Sequence, residues 1–133
     1  MKTYSGSCHC GAVQYEADLD LSQGTGKCNC TFCFKSRAWK AFTKPAHFRL
    51  QKGEDSITGY RTNEFTAMKY FCKTCGMRTH EIGNAEWMGG EFVGVYLSTL
   101  NDVDQDELAN APVRIADGLH NNWQNPPADT RNL

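Results

Sequence analysis

Seven cysteines in a chain of 133 residues fall into three spaced groups. Cys8-His9-Cys10-Gly11 is a C-x-C, Cys28-Asn29-Cys30-Thr31-Phe32-Cys33 is a C-x-C-x-x-C, and Cys72-Lys73-Thr74-Cys75-Gly76 is a C-x-x-C-G knuckle. Each spacing lets two or more sulfurs converge on one ion. On a strand, residues i and i+2 share a face, so a C-x-C can aim both thiolates at one point. A C-x-x-C around a tight turn does the same, and the glycine after it relaxes the turn where backbone amides approach sulfur. An odd number of cysteines fits a disulfide framework poorly. The start, Met1-Lys2-Thr3-Tyr4-Ser5-Gly6, lacks the apolar stretch of a signal peptide, so a cytoplasmic protein with reduced thiols is expected.

A closed tetrahedral thiolate site needs two such pairs. Cys8, Cys10, Cys72 and Cys75 supply four ligands, which predicts a structural zinc joining the N-terminal strand to the middle of the chain. The alternative pairing puts Cys8 and Cys10 with the middle trio and leaves the knuckle alone. In the first pairing Cys28, Cys30 and Cys33 remain. Three protein ligands leave one coordination position open, the arrangement of a catalytic zinc. Thiolates favour zinc, with iron as runner-up. Such an ion would hold an incoming thiol as thiolate or polarise a carbonyl. His9 lies between two candidate ligands and on a strand would face away from them. His47, His80 and His120 are isolated and read as surface or core residues.

Charge supports a ligand role for the trio. From Lys27 to Lys44 there are five cations (Lys27, Lys35, Arg37, Lys40 and Lys44) and no acid, while the net charge of the whole chain is −1. Cations there would offset a thiolate-rich metal site and attract an anionic thiol. Lys35 and Arg37 are the candidates for binding substrate carboxylates. The near-neutral total excludes bulk electrostatic attachment to membrane or nucleic acid. No run of 18 apolar residues is present, so no transmembrane helix is expected.

The elements that must position these residues are short. Val13, Tyr15 and Ala17 alternate with Gln14, Glu16 and Asp18, the period of a strand. Residues 38–42, 48–50, 56–58, 67–71 and 92–97 also read as strands, separated by glycines. One helical turn is expected at Thr31–Lys35 and another at Asp104–Ala109. Leu, Ile, Val and Phe total only 23 residues, a thin core for this length, so the metal sites must contribute to the fold. The expectation is one mainly β domain over 1–133. Residues 111–133, with Pro112, Pro126 and Pro127, would form an extended C-terminal tail pinned by Ile115 and Trp123.

The order Gly6-Ser7-Cys8-His9-Cys10-Gly11-Ala12-Val13, then Cys28 to Cys33, then Phe71-Cys72-Lys73-Thr74-Cys75-Gly76, resembles the glutathione-dependent formaldehyde-activating enzyme family, whose domain centromere protein V shares. The resemblance runs from about Ser5 to Leu100, with a weaker echo around Asp117-Gly118. It implies a β-tent fold like that of the Rab-associated zinc proteins, a structural zinc on Cys8, Cys10, Cys72 and Cys75, and a catalytic zinc on Cys28, Cys30 and Cys33. The family often carries His and Arg where this chain has Asn29 and Phe34; neither is a metal ligand in the family.

The cysteine spacing together with this resemblance implies a zinc-dependent carbon–sulfur lyase-like enzyme that adds a thiol reversibly to a small aldehyde, with glutathione and formaldehyde as the pair the resemblance offers. No residue in the sequence stands out as the partner of the new alkoxide, so water is assigned that part. Two other readings use the same residues. One is a non-catalytic zinc module binding protein or nucleic acid through the Lys27–Lys44 strip. The other is a redox sensor in which oxidation of the trio releases zinc.

Overall fold

The computed structural model describes residues 1–133. Ten short strands and two six-residue helices make two sheets, mainly antiparallel and mainly β as expected. Strands β1 (Lys2–Ser7), β2 (Gln14–Leu19) and β5 (Phe48–Lys52) form the small sheet in the order β1-β2-β5. The larger sheet runs β10-β3-β4-β9-β8-β7-β6, from β3 (Thr25–Cys28), β4 (Lys40–Thr43), β6 (Ile57–Tyr60), β7 (Met68–Cys72), β8 (Arg78–Ala85), β9 (Gly90–Tyr96) and β10 (Val113–Ala116). Helix α1 (Thr31–Ser36) lies between β3 and β4, and α2 (Gln105–Asn110) precedes β10. No helix is long and apolar enough to cross a membrane.

The alternation in β2 does what its period requires. Tyr15, Ala17 and Leu19 are buried, and the residues between them face outward. They share one core with Tyr4 of β1, Ala41 of β4 and Val93 and Val95 of β9, so the small sheet packs on the centre of the large one. Gly6 opposes Tyr15 across β1 and β2, and a Cβ there would lie 2.2 Å from the ring. The missing side chain lets the tyrosine lie over β1 and place its hydroxyl 2.7 Å from Thr99 Oγ1. On the outer face Asp18 accepts both guanidinium nitrogens of Arg49, at 3.0 and 2.9 Å.

Strand β8 departs from any apolar alternation. Its consecutive residues Thr79, His80 and Glu81 are all buried. His80 is stacked on Tyr70 and packs at a tilt against Phe48, with centroids 4.9 and 4.4 Å away, and its Nδ1 meets Thr79 Oγ1 at 2.9 Å. Burial pushes its pKa down to about 4, so the ring is neutral at pH 7.

The segment after α2 is not simply an extended strap. Val113–Ala116 joins the edge of the large sheet as β10, parallel to β3, with Ala116 opposite Cys28. Beyond it the chain turns at Gly118–His120. Ile115 is partly buried there, and Trp123 is 47% exposed.

Candidate functional site

The four-thiol group stands where the two sheets meet. The sulfurs of Cys8, Cys10, Cys72 and Cys75 all lie within 4.8 Å of one another. Cys8 and Cys10 sit in the turn between β1 and β2, not on a strand, because the chain reverses at Gly11, whose φ is +81°. His9, expected to face the opposite side of a strand, is exposed in that turn. Cys72 ends β7, and Cys75 lies in the turn to β8. Cys8, Val13 and Cys72 are buried together in a small core of their own.

Backbone amides surround these sulfurs. The N–H of Val13 donates to Cys8 Sγ at 3.2 Å, and those of Thr74 and Cys75 donate to Cys72 Sγ at 3.3 and 3.5 Å. Amides of Cys10 and Met77 draw the Cys75 thiol down to about 6. Hydrogen-bond donors aimed at sulfur favour thiolate, the form that binds metal.

Cys28, Cys30 and Cys33 form a second group, also with all sulfurs within 4.8 Å. Cys28 ends β3, Cys30 is the N-cap of α1, and Cys33 lies in its first turn. The helix turns Cys33 back toward Cys30, whose sulfur accepts the Cys33 N–H at 3.4 Å. The Cys30 N–H donates to Cys28 Sγ, also at 3.4 Å. Hydrogen bonds from Cys28 and Cys33 hold the Cys30 thiol down to about 2, while the Cys33 thiol is pushed well above the usual range.

Four of the five cations of the basic strip go to different partners. Lys40 Nζ is 4.0 Å from Cys33 Sγ and 2.7 Å from Glu81 Oε1. Both side chains are almost wholly buried, at 9 and 5% exposure. Burial works against the Lys40 charge, but Glu81 and the sulfurs of Cys33 and Cys28 outweigh it and raise its pKa. Lys27 lies over the Trp39 ring, and Lys44 donates to the carbonyls of Met88 and Gly89. Arg37, expected to stand with Lys35 as a carboxylate partner, is turned elsewhere. It caps α1 in the left-handed conformation, with φ 53°, and donates to the Asn132 carbonyl at 2.6 Å.

Lys35 does line a groove of about 430 Å³ beside α1, with Thr31, Phe32, Tyr60, Phe71 and Arg78. Phe32 and Tyr60 stack at 5.9 Å, and the cationic groups of Lys69 and Arg78 lie 5.0 and 5.1 Å from the Phe32 centroid. The Nε of Arg78 is buried without a hydrogen-bond partner. Arg78 lines this groove with Lys35, and Arg37 does not. Arg78 carries no signal in the sequence, because it precedes a run of polar residues with no strand period.

The tail forms a wall on the Cys28 side. Asn29, between two of the thiols, uses both ends of its amide. Its Nδ2 donates to Asp117 Oδ1 at 2.8 Å, and its Oδ1 accepts the Leu119 N–H at 3.0 Å. Its own N–H donates to the Ala116 carbonyl at 3.2 Å. The Asn29 amide, with help from His120, holds the Asp117 carboxyl below the usual carboxylate range. Gly118 packs directly on the site: a Cβ there would be 2.5 Å from Cys28 Sγ and 2.6 Å from the Trp123 ring.

A β scaffold carrying two separate groups of converging thiols belongs to the class of small domains able to bind soft metal ions through cysteine. Residues 3–114 match the family model of the glutathione-dependent formaldehyde-activating enzyme. The chain belongs to that family. The structure is also similar to the crystal structure of a Rhodobacter sphaeroides protein from a structural-genomics programme. The two share 32% identity and a TM-score of 0.68, over 83% of this chain and 99% of the other. The wall from Asp117 to Trp123 lies beyond the matched residues.

Proposed function

We propose that this protein catalyses the reversible addition of a thiol, glutathione or one of similar charge, to a small aldehyde such as formaldehyde, with zinc as its cofactor. The observation that carries this reading is the difference between the two thiol groups. One offers four sulfurs, a complete tetrahedral set, and the other offers three beside a cationic groove. All-thiolate donor sets suit zinc. Cys8, Cys10, Cys72 and Cys75 would hold a structural ion joining the two sheets. Cys28, Cys30 and Cys33 would hold the other. Bound there, zinc would keep an incoming thiol deprotonated and nucleophilic at neutral pH.

The chain's own residues supply the rest. Lys40 places a buried positive charge beside Cys33 and offsets the negative charge of the thiolates. Lys35 and Arg78 face the groove, where they can receive the carboxylates of an anionic thiol. Phe32, Tyr60 and Phe71 give that groove apolar walls. Holding the thiol beside the aldehyde turns an encounter of two molecules into a reaction within one complex.

The test is the exchange rate between formaldehyde plus glutathione and their adduct, followed by NMR at equilibrium. Zinc-loaded wild type should accelerate it, and Cys30→Ser with its four-thiol site still loaded should not. Equal rates for wild type and buffer, with two zinc ions per chain confirmed, would remove the reaction. The competing docking surface for nucleic acid is less favoured, because four of the five cations of the Lys27–Lys44 strip, all but Lys35, are engaged with separate partners.

A further inference from the structure

Asn29 stands between Cys28 and Cys30, and its amide does a job that the thiols do not. Every hydrogen bond from the turn 117–125 to the rest of the chain ends on its side chain. Its Nδ2 donates to Asp117 Oδ1 at 2.8 Å, and its Oδ1 accepts the Leu119 N–H at 3.0 Å. The turn's other bonds close on the turn itself. The Asp117 N–H donates to the carbonyls of Asn122 and Asn125, both at 3.1 Å, and the Asn122 N–H returns to the Asp117 carbonyl at 2.9 Å. His120 Nδ1 meets the Asp117 carboxylate at 2.8 Å. The turn is thus a self-contained piece with one polar attachment. Between its two attached residues lies Gly118, packed against both Cys28 Sγ and the Trp123 ring. Cys33 takes its cover from the sheet, among Ala38 and Tyr96, but Cys28 has Gly118 of the tail on its sulfur. Cys28 and Cys33 are buried, and Cys30 is the most open of the three.

We infer that Asn29 is a positioning residue: it latches the turn 117–125 over Cys28, closes that side of the trio, and leaves the Cys30 side as the way in for metal and for an incoming thiol. The entry of the thiol rests on the thiol–aldehyde reading above; the latch itself needs only the trio and the tail. Asn29 suits the task because an amide offers a donor and an acceptor at once. The donor end meets a carboxylate, which makes that bond stronger than one between neutral groups. The acceptor end fixes the backbone two residues further on, so Gly118 is held from both sides. A turn with a single attachment opens as a unit when that attachment fails, and opening of this kind uncovers only what the turn covered. On the other side, Cys30 is followed directly by Thr31 and Phe32, which line the cationic groove. The open side of the trio and the groove are therefore neighbours in the chain.

The test exchanges the two partners. Asn29→Asp sets a carboxylate against Asp117 and repels it. Asp117→Asn alone keeps the contacts, because an amide oxygen still accepts from Asn29 and His120. In the double variant Asn29→Asp/Asp117→Asn the new amide donates to the new carboxylate, which still accepts the Leu119 N–H. Zinc-loaded proteins are mixed with a chromophoric chelator and limiting iodoacetamide. The chelator reads zinc loss from each site, and peptide mass spectrometry reads which cysteine is alkylated first. In wild type, Cys30 should be labelled well before Cys28. Asn29→Asp should speed both Cys28 labelling and zinc loss from the trio by about tenfold to a hundredfold, the scale of losing a hydrogen bond to a charged group. Asn29→Ala, which removes the bonds without repulsion, should move both rates the same way by less. The double variant should return to within about threefold of wild type, since the two changes compensate. Zinc release from the four-thiol site should be the same in all, as the check on folding. Cys28 labelled as early as Cys30 in wild type, unchanged rates in Asn29→Asp and Asn29→Ala, or a double variant as fast as Asn29→Asp each overturns the inference. Failure of the thiol–aldehyde function reads differently: wild type gives no catalysed exchange of formaldehyde with glutathione, while the labelling order and its rescue hold and the latch stands.

Discussion

Replacing Lys40 by Met separates two jobs that one ammonium performs. In wild type it is the sole hydrogen-bond partner of Glu81 Oε1, and Glu81 Oε2 has none. Lys40→Met therefore strands a carboxylate inside the protein, and removing one partner of a buried pair costs about 3–5 kcal/mol. The double variant Lys40→Met/Glu81→Leu removes both charges and fills the space with apolar atoms. Its stability should return to within about 1 kcal/mol of wild type, or exceed it. The double variant then exposes the second job. At an effective dielectric near 20, a cation 4.0 Å from Cys33 Sγ is worth about 4 kcal/mol to a thiolate. The carboxylate one contact further opposes it by about 2.5 kcal/mol, leaving about 1.5 kcal/mol. Zinc affinity at the trio should thus fall roughly tenfold in the double variant, with the four-thiol site unaffected. The assays are urea unfolding at a fixed free zinc concentration and stepwise zinc withdrawal by a chromophoric chelator. Lys40→Met within 1 kcal/mol of wild type, or a double variant as unstable as the single, would refute the reasoning.

Two further substitutions probe other parts of the scaffold. Gly118→Ala puts a methyl group 2.5 Å from Cys28 Sγ and 2.6 Å from Trp123. It should weaken zinc at the trio by about 10–100-fold, the range seen for disturbed surroundings of metal ligands, without touching the four-thiol site; unchanged stepwise chelator release would count against the tail as a wall. His80 has a folded pKa of about 4 against about 6.5 when unfolded, so the unfolded chain binds the extra proton first as pH falls. That contribution is fully present above pH 6.5 and declines as pH drops through 4, by about 3 kcal/mol in all. His80→Phe should be slightly less stable at pH 7, having lost the Thr79 bond, but should show a shallower fall between pH 6.5 and 4. Parallel stability–pH curves would exclude His80 as the source.

The parts of this molecule that could be read from the sequence follow simple rules of period and spacing. Val13, Tyr15 and Ala17 alternate, and they are buried as a strand face. Asp104 can cap a helix, and its carboxylate accepts the N–H groups of Asp106 and Glu107 at the start of α2. Cysteine spacing marked the residues that converge, although Cys8 and Cys10 achieve it through a turn and not a strand. What escaped was the polar interior. β8 buries Thr79, His80 and Glu81, so it shows no apolar rhythm, and nothing local to Lys40 or Tyr96 announces that they meet across β4 and β9. β10 was hidden for a different reason. Its parallel partner β3 lies far back in the chain, and pairing at that distance leaves no local signature.

The clamp between Asn29 and Asp117 spans 88 positions of sequence. Ribosomes deliver chains from the amino end, so the two thiol groups become complete at different moments of synthesis. Every sulfur of the four-membered group has been made once Cys75 emerges. The trio exists even earlier, yet its β10 neighbour and the Gly118 cover arrive only after a further forty or so residues. A nascent chain can therefore bring its four-sulfur group together while the sulfurs of the trio still stand open on one side. The order of translation itself separates completion of the four-sulfur group from the covering of the trio.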